Sequence, residues 1–213
     1  MAGLFLSALA FLPLQGLALL FAILICLGAW EWSSLSGWQN SAVRALYVVL
    51  VGGLLGLLYS FCGLGEQPLP EEIQPLLGVA CLWWSFALLW VKGYPASAVL
   101  WRPRITRSVM GLLILAPGWL SAVYILSYPR GTVLLVVLVL VVAAADIGAY
   151  FTGRRFGRHK LAESVSPAKT WEGFWGGVVA CALLAVLLWY LLPGESAHIG
   201  LISTMVVVII TGL

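Results

Sequence analysis

Long, almost uninterrupted apolar runs are the feature that most constrains how this sequence can fold. A hydrocarbon core about 30 Å thick is crossed by about 20 residues of helix, whereas the strands of a membrane barrel alternate polar and apolar residues. The runs in this chain do not alternate, so they predict transmembrane helices. They cover residues 4–30, 43–64, 76–91, 109–126, 132–151, 174–192 and 197–213.

The composition leads to the same fold class. Hydrophobic residues make up 62 % of the chain and charged residues 9 %, whereas about a quarter of the residues of a soluble domain are charged. So few polar residues cannot cover a soluble core. We therefore predict an all-α, polytopic integral membrane helical bundle with about seven transmembrane spans, the last truncated. It would fold as a single transmembrane domain over residues 1–213.

The first apolar run is longer than one straight crossing requires, and Pro13 interrupts it. Proline removes a backbone donor and kinks or breaks a helix. The run is therefore either one tilted and kinked span or a half-helix that enters the bilayer and turns back.

Basic residues are concentrated in alternate loops. Lys and Arg are enriched in cytoplasmic loops, so these loops and any active site in them are predicted to face the cytoplasm, with the N-terminus outside. The opposite loops carry mainly acidic residues and Arg130. The remaining ten of the 11 basic residues are Arg44, Lys92, Arg102, Arg104, Arg107, Arg154, Arg155, Arg158, Lys160 and Lys169.

Asp146 is an acidic residue inside the fifth apolar run. An ionised carboxylate at membrane depth costs several kcal/mol unless it is paired, solvated or bound to a cation. Its neighbours one turn further on are Ala149 and Tyr150, and Gly153 continues the same helix face. The small residues leave room for a ligand, so we predict metal coordination; the alternative is a structural Asp bonded to a neighbouring helix.

A basic, glycine-containing loop is predicted to follow at residues 152–173. Two glycines spaced by four, Gly153 and Gly157, allow close backbone approach. Arg154 and Arg155 are explained equally well as catalytic residues and as anchors to anionic lipid headgroups. His159 is interpreted as a hydrogen-bonding residue rather than as an acid.

Ser166 followed by Pro167 is typical of a helix N-cap and first helical position. We therefore expect the sixth helix to begin at Ser166, with Lys169 in its first turn, where the helix dipole disfavours a cation. An anion bound between Lys169 and the helix end would relieve this conflict. The free amides and the hydroxyls of Ser166 and Thr170 would complete a phosphate receptor. The glycines that follow, at positions 173, 176 and 177, thin one part of the helix surface either for helix packing, which is the default, or for access by a bulky substrate.

Taken together, these motifs resemble the bacterial CDP-diacylglycerol synthases, also called phosphatidate cytidylyltransferases. Their order and spacing match over about thirty residues, which is more specific than any single motif. A shorter run near the start, Ala29-Trp30-Glu31-Trp32, also looks like that family. The main motifs are Asp146-x-x-Ala149-Tyr150, Gly153-x-x-x-Gly157-Arg158-His159-Lys160-Leu161 and Ser166-Pro167-x-Lys169-Thr170-x-Glu172-Gly173-x-x-Gly176-Gly177.

The resemblance implies transfer of a cytidylyl group from CTP to phosphatidic acid in the bacterial cytoplasmic membrane, with Mg2+ or another divalent cation as the cofactor. On this reading Asp146 is catalytic and holds the metal, and Lys169 is catalytic and binds phosphate. Glu172 would orient Lys169 or reach the metal through water. Membrane lipids are further partners, no nucleic acid is expected, and a homodimer is compatible with the resemblance. The residues expected to bind substrate are Arg158, Lys160, Ser166 and Thr170.

One part of the family pattern is expected beyond the seventh span. It reads Ser-x-x-Lys-Arg-x-x-x-x-Lys-Asp, followed by His-Gly-Gly and Asp-Arg-x-Asp, and the sequence ends at Leu213. Its aspartates would complete the metal site. We therefore expect the 213 residues on their own to lack measurable activity.

Three other functions compete with this interpretation. A CTP-dependent enzyme acting on another lipid, such as a polyprenyl-type phosphate or a lipid alcohol, would differ only in its acceptor pocket. An ion-coupled transporter would use Asp146 as an ion or proton site, but only one intramembrane acid is present and repeats are lacking. A structural membrane subunit would not need Lys169 at a helix start beside a buried acid.

Overall fold

The computed structural model describes residues 2–191 of the chain. Within this range it contains seven α-helices, a short 3-10 helix at Ala96–Val99 and a two-stranded antiparallel hairpin. The elements are α1 (Ala2–Phe11), α2 (Leu14–Leu35), α3 (Ser41–Phe61), α4 (Pro70–Lys92), α5 (Arg104–Leu126), α6 (Gly131–Phe156), β1 (Lys160–Ala162), β2 (Ser166–Thr170) and α7 (Trp171–Leu191).

Six of these helices, α2 to α7, are long and apolar enough to cross a membrane. The prediction of an all-α, multi-pass membrane protein is therefore confirmed. The helix boundaries match the first six predicted runs to within six residues, apart from the start of the chain. The seventh predicted span, at residues 197–213, lies outside the described residues.

Pro13 separates the first predicted run into two helices. It has an extended backbone (φ −66°, ψ 162°) and stands at the N-cap of α2. In one continuous helix, Phe5 and Phe21 would be about 24 Å apart along the axis. Their ring centroids are instead 6.1 Å apart. The chain therefore turns back at Pro13, as the half-helix alternative requires.

The contacts divide the chain into two compact units, Met1–Thr132 and Val133–Leu213. The first unit has a core formed by α2, α3 and α5, with Val51, Leu120 and Val123 almost fully buried. In this core the indole nitrogen of Trp119 donates to the backbone oxygen of Ala18 at 3.0 Å. That bond satisfies the polar end of a large aromatic side chain inside an apolar bundle.

Two arginines of the first unit bind the end of α2. Arg44 Nη2 donates to the carbonyl of Trp30 at 3.0 Å, and its guanidinium lies 4.1 Å from the centre of the Trp30 ring. Arg107 Nη1 donates to the carbonyl of Leu35 at 3.2 Å. Leu35 is the last residue of α2, and the last four carbonyls of a helix lack intrahelical partners and attract cations. These arginines therefore have a structural role at the end of α2.

The second unit contains α6, the hairpin and α7. Ser166 to Thr170 form strand β2, and α7 begins at Trp171. The prediction that the helix begins at Ser166 is therefore wrong. The segment pairs with β1, with Lys160 opposite Thr170 and Ala162 opposite Ser166. These backbone bonds to β1, which is separated from Ser166 by only three residues, outweigh the local capping preference of the Ser-Pro pair.

Small residues let α6 and α7 approach closely. A Cβ added to Gly148 would lie 2.6 Å from both the Ala180 Cβ and the Gly176 carbonyl oxygen. One added to Gly177 would lie 3.0 Å from the Ala145 oxygen. Gly177 of α7 thus faces backbone of α6, which agrees with the helix-packing interpretation of these glycines.

Candidate functional site

A pocket of about 620 Å3 lies in the second unit among α6, the hairpin and α7. Most of its wall is small or apolar, including Val142, Ala145 and Phe174. The pocket can therefore accept both an apolar chain and a charged group. Its polar residues are Asp146, Tyr150, Arg154, Lys169 and Thr170.

Asp146 is the acidic residue of this pocket within the described part of the chain. It stands ten residues before the end of α6 at Phe156, which corresponds to about 15 Å along the helix. No described side chain or backbone group hydrogen-bonds to its carboxylate. The alternative of a structural Asp bonded to another helix therefore finds no partner among the described residues.

Two lysines of the hairpin have different surroundings. Lys169 is exposed, lines the pocket and has no hydrogen-bond or ionic partner among residues 2–191. Lys160 Nζ instead donates to the carbonyl of Pro167 at 2.5 Å, which ties β1 to β2. Lys169 is therefore the lysine available to an anion in the pocket, and Lys160 supports the hairpin.

Thr170 caps α7. Its hydroxyl oxygen accepts from the backbone amide of Gly173 at 3.2 Å, the bond expected between an N-cap side chain and the third helical residue. The side chain is 8 % exposed. A Cβ added to Gly153 would lie 3.2 Å from this hydroxyl, and one added to Gly157 would lie 2.9 Å from it. The glycine pair at the end of α6 thus leaves room for the threonine cap.

The other predicted substrate residues lie outside this pocket. Ser166 is half-buried opposite Ala162 and does not line it. Arg158 and Lys160 line a shallower depression beside Trp171. The structure therefore brings together Asp146, Lys169 and Thr170 from the predicted set, and it separates Ser166, Arg158 and Lys160 from them.

Glu172 also lies away from the pocket and does not contact Lys169. Its carboxylate accepts from the backbone amides of Arg158 and His159 at 3.1 to 3.3 Å, and Oε1 lies 2.7 Å from His159 Nδ1. The predicted orientation of Lys169 by Glu172 has no contact to support it among the described residues.

The predicted site residues do not include Tyr150 or Arg154, although the sequence leaves a catalytic role for Arg154 open. Arg154 Nη1 donates to the Tyr150 hydroxyl at 2.7 Å, and both residues line the pocket. The sequence contained a pattern that could have identified them, because residues 146, 150 and 154 are spaced by four and share one face of a helix. Their arrangement adds a second cation to the pocket that contains Asp146 and Lys169.

The donor set fits a divalent cation only when a ligand shares it. No cluster of three or more acidic, His or Cys side chains occurs within the described range. Mg2+ is usually held by one or two carboxylates together with water and substrate phosphates. Asp146 can supply one such carboxylate, and Lys169 and Arg154 line the same pocket and can contact phosphate oxygens.

The fold and the pocket define a multi-pass membrane protein with a cationic, partly apolar pocket near the end of one of its spanning helices. Residues 1–213 match the model of a family described as the cytidylyltransferase family. The chain therefore belongs to the cytidylyltransferase family.

Relatives with known names agree with this assignment. The chain is 40 % identical over 161 residues to a phosphatidate cytidylyltransferase of Pseudomonas aeruginosa, which covers 76 % of this chain and 56 % of that protein. It is 33 % identical over 181 residues to one of Haemophilus influenzae, covering 80 % of this chain and 62 % of that protein. The matches thus span about 56 to 62 % of the length of these two relatives.

Proposed function

We propose that this chain forms part of a phosphatidate cytidylyltransferase, which makes CDP-diacylglycerol from CTP and phosphatidic acid. A phosphate oxygen of phosphatidic acid would form a new bond to the α-phosphorus of CTP. The bond from that phosphorus to the oxygen bridging to the β-phosphate would break, and pyrophosphate would leave with the bonding electrons. The family membership and the names of the relatives support this proposal.

The observation that carries the proposal is that Asp146 and Lys169 line one pocket and that neither has a partner within residues 2–191. No ion pair of 4 Å or less joins them. Two opposite charges that line one pocket without pairing leave space for a ligand that carries both a cation and an anion. A metal–phosphate complex has this charge pattern.

The reaction brings two anions together, so the pocket must lower their repulsion and align them. Lys169 and Arg154 would contact phosphate oxygens and offset their negative charge. Asp146 would hold Mg2+, which supplies charge neutralisation and orientation when bound. Thr170 would act indirectly, because its cap fixes the strand end that carries Lys169.

The apolar part of the pocket supports a lipid as the acceptor. Val142, Ala145 and Val178 line the pocket from two membrane-spanning helices. Apolar walls can hold the start of an acyl chain while its phosphate lies beside Lys169. A soluble acceptor would gain nothing from these walls.

We also propose that the protein lies in the bacterial cytoplasmic membrane with its basic loops and active site on the cytoplasmic side. Arg154, Arg155 and Arg158 cluster at the end of α6, and the hairpin adds two lysines. Such a concentration of positive charge is typical of cytoplasmic loops, and CTP is a cytoplasmic nucleotide. A homodimer stays a prediction.

The direct test is incorporation of radiolabelled CTP into lipid by the protein expressed from its complete natural reading frame. Asp146→Asn and Lys169→Ala are each expected to lower kcat/KM by at least about 100-fold, comparable to the loss of one group that stabilises transition-state charge. Glu163→Gln and Lys92→Ala are matched controls that remove one charge each away from the pocket. Full activity of both pocket variants would refute the proposal.

A second experiment tests which lipid accepts the cytidylyl group. Phosphatidic acid is expected to be used, whereas a polyprenyl phosphate in the same micelles is expected to be a poor acceptor. The opposite preference would favour the alternative enzyme. If purified protein in vesicles moves cations in the absence of CTP and Asp146→Asn abolishes that movement, the transporter alternative is correct.

A further inference from the structure

Glu172 and His159 are joined by an unusually complete set of bonds for two residues at the surface of the second unit. Glu172 Oε1 lies 2.7 Å from His159 Nδ1, and the same carboxylate accepts the His159 backbone amide at 3.3 Å. The backbone amide of Trp171 donates in turn to the carbonyl of His159 at 3.0 Å. His159 is thus tied to the start of α7 through its ring, its amide and its carbonyl.

The bonds determine the chemical state of the pair. A carboxylate has only acceptor sites, so Nδ1 of His159 carries a hydrogen and donates a hydrogen bond to Glu172. The Glu172 carboxylate also accepts a hydrogen bond from the backbone amide of Arg158 at 3.1 Å. With these donors around it, the carboxylate has little capacity left for a metal or for Lys169. The Glu172 carboxylate therefore acts as a structural anchor for His159.

The positions of Glu172 and His159 in the chain show which element this pair holds in place. His159 directly precedes β1, and Glu172 lies two residues after the end of β2. The pair therefore closes the open end of the hairpin, where Lys160 lies opposite Thr170. Lys169, the unpartnered lysine of the pocket, is the residue next to that closed end.

We propose that Glu172 and His159 are positioning residues, which fix the hairpin to α7 so that Lys169 stays beside Asp146 in the pocket. The proposal rests on the cytidylyl-transfer function given above. It assigns no proton transfer to His159 and no metal to Glu172. A displacement of about 1 Å can cost about 100-fold in rate when reacting groups must be aligned.

The test compares variants that keep the bonds with variants that remove them. Glu172→Gln retains an oxygen that can accept the two backbone amides, and His159→Asn retains a side-chain nitrogen donor near the position of Nδ1. We expect each to keep kcat within about fivefold of the wild type. Glu172→Ala and His159→Ala should lower kcat by about 10- to 100-fold with a smaller change in the KM for CTP. Glu163→Gln, in the turn of the hairpin, is the control for loss of one negative charge.

Two results separate positioning from catalysis. If His159 transferred a proton, His159→Asn would be as inactive as His159→Ala, and that outcome overturns the proposal. In the double variant Glu172→Ala/His159→Ala, the loss should be close to that of the more damaging single change, because both changes remove one interaction. Strictly additive losses would also overturn it.

A readout that does not depend on activity keeps this proposal distinct from the proposed function. Hydrogen exchange of peptides covering residues 157–170 should be slow in the wild type, fast in Glu172→Ala and close to wild type in Glu172→Gln. Unchanged exchange in Glu172→Ala overturns the positioning role even if the enzyme is active. If hydrogen exchange changes as expected but neither the wild type nor any variant turns over CTP, the positioning role of Glu172 and His159 is supported and the cytidylyltransferase function is refuted.

Discussion

Replacing Gly148 by alanine tests whether the close contact of α6 and α7 maintains the pocket. A Cβ at this position would lie 2.6 Å from both the Ala180 Cβ and the Gly176 carbonyl oxygen. Ordinary contacts of this kind are about 3.5 Å or longer, so the two helices would have to separate by about 1 Å. The Gly176 contact is with backbone, so a rotamer change cannot relieve it.

The expected cost follows from this overlap. Overpacking a tight interface by one methyl group costs about 1–3 kcal/mol, while replacing a helical glycine by alanine returns about 0.5–1 kcal/mol. We expect a net destabilisation of about 1–2 kcal/mol. Gly53→Ala in α3 is the matched control, because nothing lies within 4 Å of a Cβ added there. It should be neutral or slightly stabilising.

The buried thiol of Cys181 offers a local assay for this prediction. Cys181 is fully buried, and its Sγ lies 3.5 Å from the carbonyl oxygen of Val141 on α6. In a variant without the other three cysteines, the labelling rate of this thiol reports opening between α6 and α7. A loss of 1–2 kcal/mol should speed labelling by about 5- to 30-fold in Gly148→Ala. Ala180→Gly should restore part of the protection, because it removes one of the two overlaps.

The same variant links packing to function. Asp146 is two residues before Gly148 on α6, so a shift of about 1 Å would move it relative to Lys169, and activity should fall by about 100-fold. Equal labelling rates and equal activities for Gly148→Ala and Gly53→Ala would refute the reasoning.

Three further predictions follow from other parts of the structure. Thr170→Val should destabilise the protein by about 0.5–2 kcal/mol through loss of the α7 cap, measured by thermal unfolding in detergent, whereas Thr170→Ser should not; equal melting temperatures would contradict the capping role. Trp119→Phe should cost about 1 kcal/mol because its buried bond to Ala18 is lost, and an unchanged midpoint in a denaturant titration would count against it. An impermeant thiol reagent added to intact cells should label a single cysteine introduced as Glu66→Cys. It should label one introduced as Glu163→Cys only after cell lysis; the reverse pattern would invert the proposed topology.

Much of the fold could be predicted because membrane insertion depends on composition over short stretches. A run of about 20 apolar residues needs no distant partner to form a helix, since all its backbone bonds are internal. The runs at 43–64, 109–126 and 132–151 accordingly correspond to α3, α5 and α6. Asp146 was identified for the same reason, because one acid in an apolar run has a high energetic cost wherever the helix packs.

The hairpin could not be predicted in this way, because its stability comes from pairing between two strands and not from the composition of one segment. Ser166 and Pro167 are locally typical of a helix start, but pairing with Lys160–Ala162 makes this segment a strand and moves the start of α7 to Trp171. Glu172 then reaches a histidine 13 residues earlier in the chain instead of the nearby lysine. The sequence by itself determined that helices cross the membrane and that an acid and several cations lie near one end of α6. Only the tertiary structure decided which of those charges share a pocket, because that depends on backbone pairing and on contacts between glycines of two helices.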